Sequence, residues 1–466
     1  MPTPIDPTSL GFLLAENRNQ PMHVAGLQLF EKPADAGPHF ARELYEAALD
    51  TEEIAPLFRK RPSRSISSLG QWVWTDDAEF DIEHHVRHSA LPEPGRIREL
   101  LELVSRLHGQ MLGRERPLWE AHIIEGLADG RVAMYTKLHH SLVDGISAMK
   151  LMQSVLSTDP DRRNMPLPFD ARAVRSKKVR EPSARDLTSV PMDTLRSAMG
   201  LAADAGGLPA ALIRTLNKGV KNEASALSFY APKSIFNVNI TGSRRFASDG
   251  WALDRLRAIS KASRTTLNDV VLAMCGGAVR NYLIELNSLP DTSLVSMVPV
   301  GLKSRGSDSE AGGGGNAVGS VMVKLGTDLA DPADRLAAIH ASMKAGKAAL
   351  ESMTPNQIVA MSALGMAPSL AIPMLRLNGV VRPPFNLIIS NVPGPRSTQF
   401  LNGARLTGTY PVSIPMQGMA LNITCNSYAE DMCFGLTGDR RRVPHLQRLL
   451  VHLDSELTAL EQAVGA

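Results

Sequence analysis

Apolar positions along the first third of the chain alternate between a two-residue and a 3.6-residue period. His23 to Phe30 reads as a strand, and Phe40 to Leu49 as a helix. Gln71 to Trp74 is short and β-prone. From Ile97 onward, Leu100, Leu101, Val104, Leu107 and Met111 recur at three- and four-residue steps, as on one helix face. Trp119 to Leu127 and Arg131 to Leu138 read as two strands joined by a tight turn at Asp129-Gly130. Ile146 to Leu156 follows as an amphipathic helix.

The pattern then breaks. Asp159 to about Thr188 is rich in Pro, Arg, Lys and Asp and reads as a surface linker. Met192 to Val220 carries weak helical spacing and several glycines. After this the α/β theme returns. Helices are expected at Asp254–Ala262, Asn268–Glu285, Pro332–Leu350 and His445–Val464. Strands are expected at Ser293–Val300, Val318–Leu325, Phe385–Ser390, Ala420–Tyr428 and Met432–Thr437. Gly312 to Gly315 read as a flexible loop. Two comparable α/β blocks therefore flank a connecting region, with boundaries near 1–175, 176–225 and 226–466.

Length agrees with that division, because 466 residues exceed one compact core. The balance of 50 basic and 47 acidic side chains leaves a net charge of +3, which argues against nucleic acid as a partner. Three cysteines, Cys275, Cys425 and Cys433, form no C-x-x-C pair, so a reducing compartment is expected. Met1 to Pro7 does not read as a signal peptide. Ser352 to Leu375 holds no charged residue and is long enough to cross a bilayer. Pro368 and Pro373 interrupt it, so a buried or lipid-facing pair of short helices is expected.

The stretch with the most chemistry is His139-His140-Ser141-Leu142-Val143-Asp144-Gly145. An imidazole at the end of an apolar strand can take a proton near neutral pH. The Asp-Gly pair suits a sharp exit into the next helix, where Gly145 permits the turn. Asp144 has three readings: it caps that helix, holds an arginine, or fixes the imidazole's surroundings. Spacing alone also allows both histidines merely to end a strand. Adjacent histidines on a strand point to opposite faces, so no metal site is expected from His139, His140 and Asp144. There is no G-x-S-x-G elbow and no phosphate-binding G-x-x-x-x-G-K-[ST] loop. Cys275 sits in an apolar helix pattern and reads as core. Thr266 to Asp269 looks like a capping box opening a helix. His84, His85 and His88 fall in a charged stretch and read as exposed.

The segment His140 to Gly145 resembles the H-x-x-x-D-G signature of CoA-dependent acyltransferases, a superfamily that includes chloramphenicol acetyltransferase. The longer resemblance is to bacterial wax ester synthase/acyl-CoA:diacylglycerol acyltransferases. Pro117-Leu118-Trp119-Glu120, His139 to Gly145, Asn268-Asp269-Val270-Val271 and Ser390 to Pro395 carry it in order. Pro21 to Val24 and Tyr410 to Ser413 also look like that family.

The resemblance implies two chloramphenicol-acetyltransferase-like α/β domains with an active-site tunnel at their interface. It implies transfer of a long acyl chain from acyl-CoA to a fatty alcohol or a diacylglycerol, giving wax ester or triacylglycerol. His140 would be the general base, with Asp144 and Asn268 as further catalytic residues. His139, Gly145 and Asp269 would support them. Acyl-CoA is a substrate, and no cofactor is expected. A cytoplasmic enzyme, peripheral at the inner membrane or at lipid inclusions, is the expectation that follows. The alternatives are a condensation-type domain using carrier-protein thioesters and an inactive lipid-body binding protein.

Overall fold

The computed structural model describes residues 2–64, 70–175, 231–301, 318–351 and 382–466. Two six-stranded mixed sheets dominate it. Sheet I is built from β2 (His23–Glu31), β5 (Val86–Ala90), β6 (Trp119–Glu125), β7 (Val132–His139), β12 (Phe400–Leu401) and β13 (Ala404–Val412), in the order β12-β13-β2-β7-β6-β5. Sheet II contains β8 (Arg244–Ala252), β9 (Val295–Gly301), β10 (Val318–Lys324), β11 (Leu387–Val392), β14 (Leu421–Tyr428) and β15 (Asp431–Asp439), in the order β10-β9-β11-β14-β15-β8. A small antiparallel sheet of β1 (Thr3–Pro4), β3 (Lys60–Arg64) and β4 (Trp72–Asp76) lies beside them.

The expected elements form close to the expected places. Helix Ile97–Gly109 buries Leu100, Val104 and His108 at four-residue steps. Helix Leu267–Glu285 is instead buried along most of its length, from Asp269 to Val279 and again at Tyr282 and Leu283. Sheet II lies on one side of it, and helices Pro332–Glu351 and Arg448–Val464 flank it. Glycines permit the closeness: a Cβ on Gly276 would stand 2.6 Å from the Leu325 carbonyl oxygen. A buried Arg335–Glu456 ion pair joins the two flanking helices.

The second block does not keep to its own sheet. β13 comes from late in the chain, yet it pairs antiparallel with β2 from Arg405↔Glu31 to Val412↔Ala25. Without it, β2 would leave an open edge in sheet I. The linear division at 226 therefore cuts across sheet I. Helix Ile97–Gly109 makes the reverse connection, since Ser105 Oγ accepts a hydrogen bond from the Phe246 amide of β8 at 2.9 Å.

The expected surface linker starts later than its composition suggests. Met165, Leu167, Phe169 and Ala173 are buried, and Phe169 packs against the Trp119 indole. Charged neighbours hide these apolar anchors in a composition count. Residues 176–225, the glycine loop and Ser352 to Leu375 lie outside the described residues. Among the described residues, no helix is long and apolar enough to cross a membrane.

Candidate active site

β7 leaves sheet I at His139, and the chain bends into helix Gly145–Ser154. His139 is fully buried and pairs in register with His23 of β2. Its Nδ1 accepts the Ser141 amide at 3.1 Å and lies 2.7 Å from Ser141 Oγ. An acceptor role at Nδ1 puts the ring proton on Nε2. That nitrogen lies 3.3 Å from Glu16 Oε1.

His140 is set differently. Its amide donates to the Met22 carbonyl at 2.8 Å. Its ring stacks on Phe12, centroids 4.1 Å apart. Nδ1 is buried, and among the described residues no other residue's polar atom bonds to it. Burial pushes the imidazole down to about 4, against smaller upward pulls from its own backbone carbonyl and from Asp144. The ring is therefore neutral at physiological pH.

Asp144 is exposed and caps the helix. Its carboxylate accepts the Ser147 amide at 2.8 Å and the Ser147 hydroxyl at 3.0 Å. Asp144 is thus the cap of the helix that follows the turn. Gly145 is a correction. Its φ is not positive, and a Cβ there would meet nothing within 4 Å. The Asp144 cap makes the turn, so glycine's conformational freedom is not needed.

Asn268 and Asp269 open helix Leu267–Glu285. Asp269 completes the capping box: its carboxylate accepts the Thr266 amide at 2.9 Å, and its amide donates to Thr266 Oγ1 at 3.3 Å. The same carboxylate accepts His340 Nδ1 at 2.8 Å, a partner with no sequence signal. Asn268 Oδ1 receives a 3.4 Å contact from Asn391 Nδ2 at the end of β11. The third and fourth of the four ordered motifs thus meet. No hydrogen bond or ion pair among the described residues joins either residue to His140 or Asp144.

Sequence reasoning passed over the residues packed around the histidines. Glu16, Phe12, Ser9 and Arg114 carry no spacing that distinguishes them. Only the fold shows that helix Pro7–Ala15 lies against the His139–Ser141 turn, with Ser9 Oγ donating to the Ser141 carbonyl at 2.8 Å.

The profile of the wax ester synthase/diacylglycerol acyltransferase catalytic domain matches residues 5–271, and that of the family's C-terminal domain matches residues 314–461. The chain belongs to this family. A probable diacylglycerol O-acyltransferase of Mycobacterium tuberculosis H37Rv is 47% identical over 462 residues, covering 98% of this chain and 99% of that one. A putative diacylglycerol O-acyltransferase of Mycobacterium bovis matches equally well. Among solved structures, a wax ester synthase/diacylglycerol acyltransferase from Marinobacter aquaeolei VT8 is similar over 100% of both chains, with 40% identity and a TM-score of 0.78. The first condensation domain of the calcium-dependent antibiotic synthetase shares the fold, at 15% identity and a TM-score of 0.55 over 100% of this chain and 97% of that one.

Two further motifs, Pro117–Glu120 and Tyr410–Ser413, make buried contacts between elements. Trp119 is fully buried, with its indole between His85 at 4.5 Å and Phe169 at 5.1 Å, and its Nε1 donates to the Phe58 carbonyl at 2.8 Å. His85 is therefore buried, not exposed: the stack on Trp119 and Phe80 removes it from water. Next to Trp119, the Leu118 carbonyl holds the His139 amide at 2.9 Å. Tyr410 to Ser413 runs from sheet I towards sheet II. The Ser413 carbonyl accepts His108 Nε2 at 2.9 Å, and Ser413 Oγ lies 2.6 Å from Thr424 Oγ1 of β14.

Proposed function

We propose that this chain transfers a long-chain acyl group from acyl-CoA to the hydroxyl of a diacylglycerol or a fatty alcohol, with His140 as general base. The observation that carries this reading is a neutral imidazole at the head of the family's signature, seated at the strand end and shielded by Phe12. With its proton on Nδ1 beside its own carbonyl, the ring presents the Nε2 lone pair. The acceptor O–H gives its proton to Nε2 as its oxygen attacks the thioester carbonyl. Collapse of the tetrahedral intermediate breaks the C–S bond, and the imidazolium returns the proton to the CoA sulfur. No covalent enzyme intermediate is needed.

The names of the relatives at 47% identity make diacylglycerol the first acceptor to test. Asp144 holds the turn that carries His140, and the contact of Asn268 with Asn391 ties helix Leu267–Glu285 to β11. The acyl chain would run between sheet I and sheet II. The charge-free stretch 352–375 supports an apolar acceptor path and peripheral contact with the inner membrane or a lipid inclusion. Purified protein given acyl-CoA and either diacylglycerol or hexadecanol should release free thiol. His140→Ala should abolish release with its circular dichroism unchanged; sustained turnover in that variant refutes the base assignment.

A further inference from the structure

We propose that Glu16 is a positioning residue for His140, acting through His139 and Met22; this rests on the reading of His140 as the base. Glu16 is a charged group with a fully buried side chain at the C-terminal end of helix Pro7–Ala15. Burial by itself would raise its carboxyl. His139, the Met22 amide and Arg114 outweigh that and hold it below the usual carboxylate range. An ionised carboxylate in such a place is costly unless several donors satisfy it.

Those donors lead to both sides of His140. Oε1 accepts the Met22 amide at 3.2 Å, and the Met22 carbonyl in turn accepts the His140 amide at 2.8 Å. Oε1 also lies 3.3 Å from His139 Nε2. The pair is not aligned as a hydrogen bond, but the carboxylate's charge favours a proton on that nitrogen, which leaves Nδ1 free to accept the Ser141 amide at 3.1 Å. The peptide groups before and after His140 are thus both referred to one carboxylate. Arg114 anchors it in turn: its guanidinium reaches Oε2 at 3.1 Å and the Leu13 carbonyl at 2.6 Å. The preceding turn of that helix carries Phe12, which covers the His140 ring. Helix, carboxylate and imidazole therefore form one fixed unit. A base works only if its lone pair is held on the line of the acceptor O–H, and a displacement of about 1 Å can cost 10²-fold.

The test compares Glu16→Gln, which keeps shape and loses charge, with the wild-type enzyme in steady-state acyl transfer. The expected result is a fall in kcat of about 10- to 100-fold with KM for acyl-CoA changed by less than about threefold. Near-ultraviolet circular dichroism should report the same folded fraction. In the His140→Ala background, Glu16→Gln should remove no further activity, because the two act as one unit. Wild-type kcat in Glu16→Gln, with His140→Ala inactive, overturns the positioning role alone. Turnover by His140→Ala removes the base assignment and this inference with it. Should Glu16→Gln not fold, His139→Asn and His139→Leu take its place. Asn retains an acceptor for the Ser141 amide and should keep a higher kcat than Leu; equal rates overturn the proposal.

Discussion

The Phe12 ring lies flat on the His140 imidazole, with centroids 4.1 Å apart and planes 25° from parallel. This contact contributes to the burial that pushes the imidazole down to about 4. A base so depressed stays neutral from neutral pH down to about pH 5. Truncation of Phe12 lets water reach the ring and relieves that depression. In Phe12→Ala the acid limb of the kcat/KM profile should therefore move from near pH 4 towards about 6.5, the unperturbed value. Phe12→Leu keeps apolar cover and should move it less. An acid limb at the same pH in all three proteins would separate Phe12 from the control of His140.

Stability should respond to pH where activity does not. His23, His85 and His108 are buried and lowered by burial, His108 to about 3, and His140 sits at about 4. In the unfolded chain these rings take up protons near pH 6.5, while in the folded chain they resist until far lower pH. The unfolded state then binds more protons, so stability is full above pH 6.5 and falls as pH drops through the interval below it. Each ring contributes up to about 1.4 kcal/mol per pH unit in that window. The lowered carboxyls of Glu16 and Glu120, the latter at about 2, add to the loss below about pH 4.5. Thermal unfolding should show a Tm several degrees lower at pH 5 than at pH 7.5, while kcat at 25 °C stays flat between them. Equal Tm values would mean that these rings do not titrate on unfolding.

Most of the fold was legible because its strands and helices carry their own periods. His23 to Phe30 is a short, mainly apolar run of strand length, and Ile97 to Gly109 repeats at helical spacing, so neither needs tertiary context. β13 was not legible. Leu406, Tyr410 and Val412 are broken by Gly408 and Pro411, and strand pairing across more than 370 residues leaves no local trace. At the site, His140 and Asp144 stand out because turn chemistry needs those residue types close together. Glu16 does not, because its role depends on a buried pairing with His139 that lies 123 residues on, a contact set by packing alone.

The two aspartates of the motifs should differ in cost, although both cap helices. Asp144 is exposed and holds only Ser147, so Asp144→Ala should cost about 1 kcal/mol. Asp269 is buried and bonds both the Thr266 amide and His340. Its loss removes the cap, the His340 bond and a buried side chain together, so Asp269→Ala should cost about 2–4 kcal/mol. Asp144→Asn should recover most of its loss, since an amide oxygen caps as well as a carboxylate. Urea unfolding of the variants at pH 7.5 measures the order; equal costs would contradict the difference in burial.

The two motif glycines should behave in opposite ways. Gly145 is the first residue of its helix, has an ordinary backbone angle and faces open space. Alanine there avoids glycine's entropic cost, so Gly145→Ala should be neutral or stabilising by up to about 1 kcal/mol. Gly394 follows β11, where a Cβ would sit 2.0 Å from the Ser427 carbonyl oxygen of β14. The Gly394 amide also donates to Ser427 Oγ at 3.1 Å, so the backbone cannot move away without giving up that bond. Gly394→Ala must push β11 and β14 apart, at a cost of about 1–3 kcal/mol. The shift would also disturb Asn391, three residues earlier, and its contact with Asn268. Acyl transfer should therefore fall in Gly394→Ala and hold in Gly145→Ala. A Gly145→Ala protein that folds normally yet loses activity would show that the space beside residue 145 is occupied by substrate during turnover.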